Sequence, residues 1–129
     1  MKIASIDLGL KRIGVAISLH SGIVTPLQAI IRKNRDQAAR DLKALLDEWG
    51  IEALVVGLPL GGSSEDEMRR RVAHFLTLLD FDGEVFYQDE AFSSAEASEL
   101  MRGEMKQVRD GRLDSISAMI ILERFLAKS

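Results

Sequence analysis

The 129-residue chain is 47% hydrophobic and 29% charged, an ordinary globular composition of one-domain size that argues against disorder. Cysteine is absent, which excludes disulfides and thiolate metal sites and fits a reducing compartment, and the single Trp, Trp49, offers little to a recognition scheme built on aromatic stacking. A formal net charge of −3 excludes bulk attraction to nucleic acid, so any phosphate binding has to come from local basic patches.

The opening MKIASIDLGLK has one Lys and a short apolar run stopped by Asp7. That run is too short for a signal peptide, and no other stretch approaches a membrane span, so a soluble, cytoplasmic protein without membrane association is expected. Lys2 to Asp7 reads as a buried strand closed by Asp7. Leu8-Gly9-Leu10-Lys11 is a turn in which Gly9 is able to take a positive φ, and Arg12 to Ser18 returns as the second strand of an antiparallel hairpin. After a turn over residues 20–22, Pro26 to Arg32 is a third strand, with Pro26 suited to an edge.

The pattern then alternates. Asn34 or Asp36 caps a helix that runs to Trp49, with Gly50 just past its end. Glu52 to Gly57 is a strand buried on both faces, and Leu58 to Gly62 is the loop leaving it. Ser63 or Ser64 caps a second helix to about Leu79, its first turn carrying Glu65, Asp66 and Glu67 to complement the helix dipole. Glu84 to Gln88 is a fifth strand that ends in Asp89-Glu90. A helix from Ser93 or Ser94 to about Arg102, a polar loop over residues 103–112 and a helix from Asp114 to Lys128 complete the order. No linker or repeat divides residues 1–129, so one domain is expected. Hairpins first and α/β alternation afterwards predict a five-stranded mixed sheet with helices on both faces, the ribonuclease-H-like α/β pattern.

Three carboxylates sit where apolar elements begin or end: Asp7, Glu90 and Asp114. Reactive groups of an open α/β sheet collect at the carboxyl ends of its strands, so parallel first and fifth strands would bring Asp7 and Glu90 to one edge. Three converging carboxylates repel one another, and a divalent cation resolves the conflict. Mg²⁺ or Mn²⁺ suits such oxygen ligands, and a pair of these ions roughly 3.5–4 Å apart is the arrangement that clamps a phosphodiester. Taken singly, Asp114 reads more readily as a helix cap, and Asp89 and Glu90 as turn and first-turn acids. Asp7 is the harder one to explain structurally, because it puts a charge at the rim of a core.

The run Asp7-Leu8-Gly9-Leu10-Lys11-Arg12-Ile13-Gly14-Val15-Ala16 resembles the YqgF/RuvX proteins, as do Val55 to Leu60, Asp89-Glu90 with Ser93-Ser94-Ala95-Glu96-Ala97, and Asp114 to Glu123. That family is described as Holliday-junction-resolvase-like nucleases and as nucleases maturing the precursor of small-subunit ribosomal RNA. The resemblance implies the ribonuclease-H-like fold, a cytoplasmic site of action and a metal-dependent triad at Asp7, Glu90 and Asp114. Two positions depart from the family pattern: Ala91 stands where Arg usually follows the Asp-Glu pair, and Gly61 where Asn often follows Pro-Leu. An Arg at position 91 would suit bidentate phosphate contact, so its loss bears on substrate affinity more than on metal binding.

Local basic residues supply the nucleic-acid contacts expected of such a protein. Lys11 and Arg12 lie at the hairpin tip, while Arg109 and Arg112, with Arg102 and Lys106, punctuate the loop before Asp114. RNA is the favoured partner, and a monomer or weak homodimer the expected state. Arg69-Arg70-Arg71 falls inside a helix, where its side chains diverge, and His20 and His74 lack metal-ligand spacing. Three other readings compete. An actin-like or sugar-kinase-like ATPase is disfavoured because 129 residues supply only one of the two domains that hold nucleotide. A non-catalytic RNA-binding module draws its force from Ala91, and a junction resolvase would use the same chemistry on branched DNA, generally as a symmetric dimer.

Overall fold

The computed structural model describes residues 1–20, 22–90 and 115–128. Five strands, β1 (Ile3–Leu8), β2 (Arg12–Ser18), β3 (Thr25–Ile31), β4 (Ala53–Leu58) and β5 (Glu84–Asp89), form one sheet in the order β3-β2-β1-β4-β5. The first three pair antiparallel, whereas β4 and β5 run parallel to β1, so the carboxyl ends of β1, β4 and β5 share one edge. Pro26 lies on the edge strand β3, where its missing N–H costs no ladder bond.

Side-chain alternation divides the apolar residues between the two faces of this sheet. Ala4, Ile6, Ile13, Val15, Leu54 and Val56 pack beneath helices α1 (Arg35–Trp49) and α2 (Glu65–Leu79), which contribute Leu42, Leu46, Val72 and Phe75. On the other face, Ile3, Ala16, Ala53 and Val55 meet Ala118, Ile121 and Leu122 of helix α3 (Ile116–Ala127). Each fully buried Leu or Ile contributes about 1.5–3 kcal/mol of transfer free energy, so the two cores together fix which way every strand faces. All six residues of β4 are buried, as a central strand covered on both sides requires.

Local signals set most of the element ends. Asn34 caps α1, its side chain accepting from the Gln37 N–H at 2.8 Å while the Gln37 side chain accepts from the Asn34 N–H, and Gly50 ends the helix at φ 65°. Several details differ from the sequence expectation. Strand β1 runs one residue past Asp7, because Leu8 pairs with Ile13 and joins the α1/α2 core. Gly9 keeps a negative φ; it is needed because a Cβ there would lie 2.6 Å from the Arg12 carbonyl, which accepts the Gly9 N–H. The Ser63 and Ser64 side chains do not cap α2; instead the Glu65 carboxylate turns back to accept the Gly61 N–H. Helix α3 begins after Ser115, a residue or two later than expected. The helix expected from Ser93 or Ser94, the loop over 103–112, and residues Ala91, Arg109, Arg112 and Asp114 lie outside the described residues. No helix among the described residues is long and apolar enough to cross a membrane.

Candidate active site

Strand β1 sends Ile3, Ser5 and Asp7 toward α3, and its alternate residues toward α1 and α2. The Ser5 hydroxyl donates to the Ala118 carbonyl at 2.6 Å, tying α3 down one step before Asp7 on that face. On the antiparallel side Asp7 pairs with Gly14, and on the parallel side the register that sets Ile6 beside Val56 brings Asp7 level with Gly57. Both neighbours of Asp7 in the sheet therefore lack a side chain, leaving its carboxyl group room on the α3 face.

Gly57 has the clearer consequence. A Cβ on it would lie 2.5 Å from Ile121 Cδ1 and 3.3 Å from the nearer carboxyl oxygen of Glu90, so only glycine lets both side chains rest on β4. Gln88 pairs with Gly57, and the Glu90 N–H donates to the Leu58 carbonyl at 2.9 Å, carrying the β5 ladder one residue further. Two residues on from the buried Gln88, Glu90 falls on the α3 face and its carboxyl reaches across β4 to hydrogen-bond Asp7. Asp89 alternates to the other face with Val85 and Tyr87; Tyr87 lies under the Arg69 guanidinium of α2 at 5.5 Å. The sheet thus separates the two acids that adjoin in sequence, and it is Glu90 that meets Asp7.

The electrostatics follow from this packing. Burial, then the Asp7 charge, their hydrogen bond and the charge of Asp89 push the Glu90 carboxyl up to about 7. Burial raises Asp7 as well, against the opposing effect of the hydrogen bond it accepts from Glu90. The pair therefore shares one proton that Glu90 donates, which is how two carboxyl groups in contact avoid ionising together. A hard divalent cation would relieve the same repulsion, and two converging carboxylates on a rigid sheet are suitable donors for one. Among the described residues no third His, Asp or Glu joins them.

Of the other residues singled out from sequence, Arg12 begins β2 and alternates to the Asp7 face, while Lys11 is exposed in the turn. Asp114 is outside the described residues, but Ser115, its chain neighbour, is fully buried, and its hydroxyl accepts the Val15 N–H at 3.0 Å instead of capping α3. That bond takes up an N–H where the β2–β3 register shifts between Ile13 and Val15. Sequence reasoning misses Gly57, Gly14 and Ser115 as residues that shape the site. A glycine inside a β-branched run, as in Val55-Val56-Gly57, is the signal that could have found the first of them.

Gly57→Ala is expected to lower stability by about 1–3 kcal/mol through overpacking against Ile121. Adding Ile121→Val, which deletes Cδ1, should give a double variant more stable than the sum of the two changes predicts. Urea denaturation of the four proteins measures this coupling, and strict additivity would mean that the contact does not limit the packing.

Residues 1–128 match the family model described as RuvX: Holliday junction resolvase. A protein of Sulfurimonas denitrificans, provisionally named a pre-16S rRNA nuclease, is 69% identical over 126 residues, covering 98% of this chain and 97% of that one. One from Campylobacter lari with the same provisional name is 56% identical, covering 97% of each. Among solved structures, the fowlpox virus Holliday junction resolvase superposes with a TM-score of 0.60 at 14% identity, covering 100% of both chains. Thermus thermophilus RuvC in complex with a Holliday junction substrate gives 0.56 at 14% identity, covering 99% of this chain and 95% of that one. At that identity the likeness concerns the fold, which is ribonuclease-H-like as the strand order and the placement of the helices indicate.

Proposed function

The chain belongs to the RuvX family, and from that membership and the Asp7–Glu90 pair we propose a cytoplasmic, metal-dependent nuclease that trims the precursor of 16S ribosomal RNA. Residues 1–129 act as one ribonuclease-H-like domain, as a monomer or weak homodimer. The single observation that carries the chemistry is the contact of two carboxyl groups across Gly57 at the carboxyl edge of the sheet.

Asp7 and Glu90 hold Mg²⁺ or Mn²⁺, with Asp114 as the third ligand. The anchoring of Ser115 on β2, next to the Gly14 that pairs with Asp7, supports that role for its neighbour. When bound, such ions supply Lewis-acid stabilisation of charge on the phosphoryl oxygens. The chain's own part is to hold the donors in place: Asp7 lies within β1, Glu90 is tied to β4 through its N–H, and both fall on the face that α3 covers. Lys11 and Arg12 draw the phosphodiester toward Asp7, and Arg109 and Arg112 contact the strand from the segment that precedes Asp114.

A panel of single-stranded RNA, structured RNA spanning the 5′ end of the small-subunit precursor, and four-way DNA junctions, each with and without Mg²⁺ or Mn²⁺, tests this reading. Metal-dependent cleavage of the RNA substrates is expected. RNA binding indifferent to metal, with no cleavage of any substrate, would make the protein a binding module instead. The description carried by the family model favours a second reading, a junction resolvase, for which preferential cleavage of the four-way junction by a symmetric dimer is the deciding result.

A further inference from the structure

On the face of the sheet opposite Asp7, a cleft of about 420 Å³ opens between the β1–β2 turn, α1 and α2. Leu8, Met68 and Phe75 form its apolar side. Arg32, Arg35, Arg70, Arg71 and His74 supply its polar lining, and none of the described residues that line it is acidic. In a chain of net charge −3, four guanidinium groups gathered around one concavity make a local field opposite to that of the whole molecule.

Local structure alone does not account for these arginines. Arg35 is the first residue of α1, at the positive end of the helix dipole, where a cation is unfavourable; Asp36 supplies the acid expected there and does not line the cleft. Arg32 is half-buried, with Nη1 donating to the Gly9 carbonyl at 2.7 Å. Partial burial, then the charges of Arg35 and Arg71, hold its guanidinium below the usual range, so these three cations stand close enough to repel one another. Arg71 has one exposed partner among the described residues, Glu67 at 3.1 Å on the same helix, a pairing that water screens. Arg70 and His74 stand four residues apart on α2, so both present to the same side. A cluster of cations whose one carboxylate among the described residues, Glu67, is an exposed partner of Arg71 is relieved further by an anion, and planar guanidinium forks suit phosphate oxygens.

The position of the cleft indicates which phosphate. Leu8 follows Asp7 directly, so the cleft and the carboxyl pair lie on opposite faces of the sheet at the same end of β1. In the turn between them Gly9 has no side chain, and Leu10, 76% exposed, offers apolar contact to a sugar or base. We propose that this cleft is a phosphate-binding site that anchors the nucleic-acid strand a few nucleotides from the Asp7–Glu90 pair, beyond the β1–β2 turn. The identity of the ligand rests on the nuclease reading; the anion site itself does not.

Binding of a fluorescein-labelled single-stranded oligoribonucleotide to the full chain, without divalent metal and across a salt series, tests it independently of cleavage. Arg35→Gln/Arg70→Gln is expected to reduce the slope of log affinity against log salt by about 1.4, roughly 0.7 for each phosphate that the variant no longer neutralises. The charge-matched Arg40→Gln/Lys128→Gln variant, whose residues are exposed and lie outside the cleft, should retain the slope. An equal slope in wild type and the cleft variant overturns the proposal. Tight binding of free AMP or inorganic phosphate at His74, followed by NMR, with RNA binding untouched by the cleft variant, would also overturn it in favour of a small phosphate ligand. If the slope falls as expected but no substrate is cleaved with metal, the cleft stands and the nuclease reading alone fails.

Discussion

Asp7→Asn and Glu90→Gln are each expected to cut RNA cleavage by on the order of 10³-fold or more, the scale on which one group of a preorganised electrostatic site is felt. Both changes preserve shape and hydrogen-bonding capacity, so the loss reports on charge and not on collapse of the α3 face. The metal-free fold should not suffer. Two partly buried carboxyl groups in contact are a source of repulsion, which an amide in place of either one relieves, so urea denaturation without metal should find both variants at least as stable as the parent. Asp89→Asn is the control, because that side chain alternates to the α1/α2 face, and its kcat should stay within a few-fold of wild type. Wild-type-like cleavage by both site variants would move the chemistry elsewhere in the chain. Inactive variants that are also unfolded would show that the carboxyl pair is structural.

Divalent-metal affinity should rise about tenfold per pH unit below about 7 and level off above it, because binding at the pair has to displace the proton that Glu90 holds. The same proton governs stability. With its folded-state pKa raised from 4.5 to about 7, the Glu90 carboxyl binds its proton more tightly in the folded than in the unfolded chain. Over that window the folded state carries more protons, so the metal-free protein loses stability as pH rises from about 4.5 through about 7. Added Mn²⁺ should restore it chiefly above about 7, where the pair is ionised. Calorimetric titrations with Mn²⁺ in buffers of different ionisation enthalpy give the proton release directly, and thermal melts at pH 5 and pH 8 give the stability. No net proton release at pH 6, with melting temperatures equally raised by metal at both pH values, would place the ion away from Glu90. Asp7→Asn removes the charge that helps to raise Glu90 and should flatten the pH dependence of the metal-free melts.

Much of the architecture was legible in the sequence because it depends on short-range chemistry. Alternating apolar residues and the Asn34 cap with Gln37 three residues on specify elements within a few positions, and Gly50 past the last turn does the same for the end of α1. Their order then leaves few topologies to choose from. Asp7 and the Asp89-Glu90 pair were also accessible as candidates, since strand-end acids that adjoin apolar runs are few. Less accessible was what makes the pair possible. Gly57 looked like the last residue of a strand, yet its missing Cβ is what allows a side chain from β5 to reach one on β1. Asp89 and Glu90 were distinguishable only once the β4–β5 register assigned each to a face. Arg70 and Arg71 look like part of a scattered helical face, and Arg32 and Arg35 lie more than thirty residues earlier. They become a cleft because α1 and α2 pack side by side over the same face of the sheet.

The sequence by itself therefore determined the described elements, their order, and which acids end the strands, since periodicity, caps and turn residues act over one or two turns of chain. Tertiary structure alone decided which of two adjacent acids meets Asp7, how far its carboxyl pKa rises, and that five separated basic residues share one concavity. Those outcomes depend on side-chain direction and burial, which exist only after strands distant in sequence have fixed their register against a common core.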